Sequence, residues 1–150
     1  MQTGTEAAAA NPRLYTPLQV RLGSFLGGPI ASVYFLRENF RILGKASEAK
    51  TTLVWGGAFV IGLLALVPFL PTRFPNLVVP LAYSYAAGSI AEKWQMQKQA
   101  ILDSGTYQVQ SSWRVLGLAL LFALALLVVG AGVYLCLVAL GLVTRDIGLE

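Results

Sequence analysis

Residues 115–144 run for 30 positions without a charged side chain. As a helix at 1.5 Å per residue, such a run reaches about 45 Å, more than the roughly 30 Å hydrocarbon core of a bilayer. A chain of 150 residues folding in water has no interior wide enough to hide it, so the run predicts a membrane span. Three further uncharged stretches precede it: 15 residues over 22–36, 22 over 51–72 and 18 over 74–91. Only 12% of the chain is charged and 56% is hydrophobic, whereas about a quarter of an ordinary soluble domain is charged. Together these exclude a soluble globular enzyme, a disulfide-stapled secreted domain and a disordered regulator.

The expected fold class is an all-α integral membrane protein. Residues 1–12 are small, polar and unpatterned, and are read as a disordered tail without the basic start and cleavage site of a signal peptide. Residues 13–150 form a single transmembrane helical domain with segments over about 18–43, 51–71, 76–103 and 112–143. Gly44 suits the end of the first segment and Ser104-Gly105 the end of the third, since glycine tolerates the backbone that closes a helix. Ser111 or Ser112 suits the start of the last. Gly130-Ala131-Gly132 leaves that helix continuous, because glycine is common in membrane helices. The third helix is expected to project beyond the bilayer, carrying Lys93 and Lys98.

The first segment decides the topology. Gly27-Gly28-Pro29 interrupts it: proline removes an amide donor and glycine permits backbone that other residues resist. The reading is a small bundle of three full spans plus a broken, re-entrant N-terminal helix pair. The alternative is four spans, with Gly23 and Gly27 as a GxxxG pair packing a crossing helix. Connection 37–50 carries Arg37, Arg41, Lys45 and Lys50, and connection 92–114 carries Lys93, Lys98 and Arg114, whereas only Arg73 lies between the second and third segments. The positive-inside rule places both basic connections in the cytoplasm. Trp55, Trp94 and Trp113 lie near span ends that meet those connections, as interface anchors do.

Little in the chain points to chemistry. Histidine is absent and Cys136 is the one cysteine, so no general-base histidine, disulfide or thiolate cluster is available. No phosphate-binding glycine loop, HExxH or GxSxG stands in the sequence. No strip of basic residues with interleaved aromatics suggests nucleic acid, and no cofactor is implied. Arg37, Glu38, Glu92 and Lys93 form a candidate polar patch at the cytoplasmic mouth, with Tyr34, Tyr83 and Tyr85 lining its interior. Gly23, Gly27, Ala58 and Gly62 form a candidate small-residue packing surface, and Gly56-Gly57 suggests close helix packing. Pro29 to Tyr34 and Pro80 to Tyr85 share a P-x-A-x-x-Y echo, matching at three positions.

Tyr15-Thr16-Pro17 with Gln19, Gly27-Gly28-Pro29, Asn39-Phe40 with Leu43-Gly44, and Ile90-Ala91-Glu92-Lys93-Trp94-Gln95 resemble a family of small multi-pass bacterial inner-membrane proteins. The likeness covers roughly residues 14–114. It implies a bacterial inner-membrane location and carries no catalytic residue.

The functional expectation is a non-enzymatic protein whose partners are the lipid bilayer and either another membrane protein or a second copy of itself. The leading specific case is an immunity protein against a pore-forming or membrane-depolarising toxin. The alternative is a small oligomeric transporter or channel, or an accessory subunit of a membrane complex. The topology has a direct check. Cysteines placed at positions 47 and 105 should resist a membrane-impermeant thiol reagent applied to intact cells, and labelling at either would reverse the orientation.

Overall fold

The computed structural model describes residues 11–66, 75 and 77–141. Readings that fall on 1–10, on the far end of the second segment with Pro68, Pro71 and Arg73, and on the last residues with Arg145 lie outside the described residues. The described chain is helical apart from one pair of short strands. Its elements are β1 (Arg13–Leu14), α1 (Pro17–Ile42), α2 (Ala46–Leu66), α3 (Val78–Trp94), α4 (Lys98–Asp103), β2 (Gln108–Val109) and α5 (Ser112–Ala139).

α1 begins on a reciprocal cap. The Gln19 N–H donates to Thr16 Oγ1 at 3.2 Å, and the Thr16 N–H donates to Gln19 Oε1 at 3.0 Å. Pro17 takes the first helical position, where no amide is needed. The backbone leaves the helix at Gly28, with φ 80° and ψ −175°, a region essentially restricted to glycine. Pro29 then opens a second helical stretch.

Tyr15 and Asn39 show what this break does. An unbroken helix would hold them about 36 Å apart. Instead the Tyr15 N–H donates to Asn39 Oδ1 at 2.8 Å, and Asn39 Nδ2 donates to the Tyr15 carbonyl at 2.7 Å. α1 is therefore a hairpin with antiparallel arms, 17–27 and 29–42. The arms are about 16 and 21 Å long, and neither has the length to cross a hydrocarbon core. At the apex, a Cβ on Gly28 would lie 3.0 Å from Leu126 Cδ2. Leu126 stands about 21 Å along α5 from its start, so the hairpin tip stops midway along that helix.

The hairpin is the hub of the fold: α2, α3 and α5 all pack on α1. The core joins Tyr15, Val20, Ala31, Phe35 and Leu36 of the N-terminal region to Ala87 and Ala91 of α3 and Val115 of α5. α1 passes into α2 through a three-residue turn. Gly44 adopts φ 73°, and the Lys45 N–H reaches the Phe40 carbonyl at 2.9 Å while the Gly44 N–H reaches Arg41 at 3.1 Å. This paired-bond helix ending needs a left-handed residue, hence the glycine.

One expectation is corrected. The third segment is not one helix over 76–103. α3 ends at Trp94, Gln95 turns away with φ −114° and ψ −130°, and α4 starts afresh at Lys98. The cause is Gln95 itself: Nε2 donates to the Leu36 carbonyl at 2.9 Å and Oε1 accepts from Asn39 Nδ2 at 2.8 Å. These bonds hold Gln95 against α1 in place of helical continuation. An element the sequence did not announce follows the tail: residues 12–14 run parallel to 108–110. Arg13 pairs with Gln108 and Leu14 with Val109, and the Gln108 N–H donates to the Pro12 carbonyl at 3.0 Å.

α2 and α5 are long and apolar enough to cross a membrane and associate the chain with one. They measure about 31 and 42 Å, whereas α3 measures about 25 Å. α5 runs unbroken through Gly130-Ala131-Gly132.

Gly28→Ala should destabilise the fold by about 1–3 kcal/mol, the cost of forcing a side chain into this backbone region. Asn39→Leu should cost about 2 kcal/mol or more, since it strands the Tyr15 amide and carbonyl. Denaturant titration in detergent micelles, followed by circular dichroism, measures both.

Candidate functional site

The hairpin returns the start of α1 to the end where the other connections lie. Arg13, Arg21, Arg37, Arg41, Lys45, Lys50, Lys93, Lys98 and Arg114 therefore gather at one end of the bundle. Hydrogen bonds between elements tie that end together. Gln19 Nε2 donates to the Gln110 carbonyl at 2.6 Å, linking α1 to the segment after β2. Lys45 Nζ donates to the Trp94 carbonyl at 2.8 Å, placing a cation where the α3 dipole is negative. Asn39 sits at the centre, 1% exposed. The Tyr15 phenol beside it is buried, and that burial raises its pKa above the ordinary value.

Trp55, Trp94 and Trp113 are 73%, 64% and 81% exposed. Each points outward at or near the basic end, where an amphipathic ring can sit at the membrane surface.

The candidate polar patch is dispersed. Glu38 pairs with Arg41, accepting from its Nη2 at 2.6 Å and its Nε at 3.0 Å. Glu92 instead lies 4.0 Å from Arg21. Arg37 reaches a different face, lining a groove with Tyr34, Leu53 and Phe122. Of the tyrosines, Tyr34 packs edge-on to Phe35 at 5.7 Å between ring centroids. Tyr85 lies beneath the Arg21 guanidinium at 4.8 Å.

The candidate small-residue surface divides in two. Gly23 and Gly27 face inward: a Cβ on Gly23 would meet Phe35, and one on Gly27 would lie 2.9 Å from the Ala119 Cα. They pack the hairpin on itself and on α5. Ala58 and Gly62 lie on the exposed side of α2, with open space around Gly62. Gly56 is the α2 glycine that makes close contact, against Val33. The reason is register, since a helix glycine packs inward only on the face turned to its neighbour.

Concavities among the described residues include the following. A polar cleft of about 570 Å³ opens at the basic end, lined by residues that include Gln19, Arg21, Glu92 and Lys98. An apolar groove of about 380 Å³ runs between α2 and α3 over the second α1 arm, with Trp55, Gly56, Phe59, Tyr83 and Ala86 in its lining. A third, about 400 Å³, lies between α2 and α5 and holds Arg37. Among the described residues, no group of three histidine, cysteine or acidic side chains is placed to hold a metal. The arrangement offers apolar slots along its sides and charged groups at one end, either of which can hold a ligand.

No family model, curated protein or solved structure matches the chain.

Sequence reasoning missed the roles of Asn39, Gln95 and Gln19. Thr16-Pro17-Leu18-Gln19 carries the spacing of a capping box, a signal that could have placed the helix start. Asn39 falls at helical spacing on the same face as Phe35, Leu36 and Phe40, and a polar residue on an apolar face is itself a flag for a buried partner.

Gly27→Leu should disrupt the α1–α5 contact and lower thermal stability in detergent, because the Ala119 backbone cannot move aside. Gly62→Leu should leave stability unchanged within about 0.5 kcal/mol, as surface substitutions do. Melting curves of the two variants side by side check this division.

Proposed function

We propose that the chain is a non-enzymatic, multi-pass protein of the bacterial inner membrane that works by holding a partner's transmembrane helix against its side. α2, α3 and α5 serve as the three full spans, and the α1 hairpin dips into the bilayer and returns. The basic end, with connections 37–50 and 92–114, faces the cytoplasm, in keeping with the positive-inside rule. The resemblance to small bacterial inner-membrane proteins supports the location.

The observation that carries the partner reading is the apolar groove between α2 and α3. Both helices rest on the same α1 arm and leave a slot between them. Its lining alternates aromatic side chains (Trp55, Phe59, Tyr83) with small residues (Gly56, Ala86, Ala87). Small residues let a second helix approach closely, and close packing drives helix association where lipid is as apolar as the helix. The leading specific case is immunity: the groove captures a helix of a pore-forming or membrane-depolarising toxin before the pore assembles.

The test is competition. A deletion strain grown beside the toxin-bearing neighbour should lose membrane potential, and the intact gene should restore it. Ala86→Leu, which fills the slot at an exposed position, should abolish protection while the protein still reaches the membrane. Unchanged growth and potential in the deletion strain would remove the immunity reading. Ion or solute flux through liposomes carrying the purified protein would favour a small transporter instead.

A further inference from the structure

We propose that the polar cleft at the basic end binds a phosphodiester, presented as the headgroup phosphate of a membrane phospholipid. The cleft lies between the first turns of α1, the end of α3 and α4. Its lining includes two cations, Arg21 and Lys98, and one carboxylate, Glu92.

Arg21 is the central group. Its guanidinium is set over the Tyr85 ring at 4.8 Å and lies against Gly88, where a Cβ would come within 2.5 Å of Nε. A ring and a glycine thus hold it in place. Hydrogen bonds do not: Nε is buried with no partner. The carboxylate of Glu92 stands 4.0 Å from Nη2, too far for a hydrogen bond. With Nε covered at Gly88, the donors an anion in the cleft can reach are the terminal Nη1 and Nη2, on a side chain 35% exposed. These two nitrogens of the planar fork suit parallel bonds to phosphate oxygens.

Charge selects among anions. Arg21 and Lys98 against Glu92 leave one net positive charge in the cleft. A phosphodiester carries a single negative charge and balances it, whereas a phosphate monoester carries about −1.5 to −2. Position selects the source. The cleft opens at the end that bears the exposed Trp94 and Trp113, and exposed Leu18 forms part of its lining. That places polar and apolar walls together, as a headgroup with its first acyl carbons requires. Basic pockets between membrane helices hold lipid headgroups by this combination. A volume of about 570 Å³ falls in the range of ligand sites.

The experiment uses the full chain purified in uncharged detergent. It is titrated with dihexanoyl-phosphatidylglycerol, with dihexanoylglycerol, which lacks the phosphate, and with soluble glycerophosphoglycerol. Phosphorus NMR of the two phosphodiesters reports engagement of the phosphate itself, and calorimetry measures affinity for all three. Wild type should bind phosphatidylglycerol, with affinity falling as salt rises. Lys98→Gln, at an exposed position, should weaken it about tenfold, the loss of one charge-assisted contact. Arg21→Lys should weaken it at least as much, since the charge stays and the fork goes. Glu92→Gln should tighten it. Phosphatidylglycerol bound far better than glycerophosphoglycerol assigns a lipid headgroup. Equal binding of the two, with the same dependence on Lys98, assigns a soluble phosphodiester to the same site. Equal binding of dihexanoylglycerol, or affinity that ignores Lys98 and Glu92, overturns the proposal.

Discussion

Two hydrogen bonds between the Asn39 side chain and the Tyr15 backbone hold the rest of the molecule in place. They close a helical hairpin whose arms also meet by close packing, Gly23 against Phe35 and Gly27 against Ala31. Asn39 lies at the basic end of the bundle but is 1% exposed, so an amide left unpaired there has no water to turn to. Asn39 also donates to Gln95, so the residue that closes the hairpin fixes where α3 ends. From that end α4 and β2 bring the chain back beside β1. One side chain therefore coordinates the start of α1, its second arm and the end of α3.

The hairpin also organises charge. A first segment that crossed the bilayer would have left Arg13 and Arg21 on the side opposite Lys93 and Lys98. Folding back gathers nine basic side chains at one end, where Glu38, Glu48, Glu92 and Asp103 are the acidic ones. Such a concentration repels itself, and two devices ease it. Glu38 takes Arg41 in a two-pronged pair, and the Trp94 carbonyl at the end of α3 takes Lys45. Arg21 falls outside both arrangements.

What the sequence made legible follows from the range of the physics involved. Span lengths come from local composition, so the uncharged runs led directly to α2 and α5. The break at Gly28 and the turn at Gly44 depend on backbone freedom at single residues, and both could be read in place. The end of α3 could not. Gln95 looks like any residue on a helix surface until its partner, 56 positions earlier, is brought beside it. The strand pair joins residues still further apart, Arg13 with Gln108, through backbone groups that carry no sequence signature. The small residues show a third limit: Gly27 and Gly62 look alike in sequence, and only the neighbouring helices decide which faces inward.

The bond from Gln19 to the Gln110 carbonyl spans 91 residues of chain, and this separation bears on how the protein is made. The hairpin is synthesised first, but its polar seam needs Gln95 and residues 108–110, which emerge later. Its arms are too short to be threaded across a bilayer as ordinary spans. α2 and α5 have the length and apolarity to enter the bilayer independently, in the order they are translated. The contacts of the first helix to be translated are therefore completed only once residues 108–110 have been made.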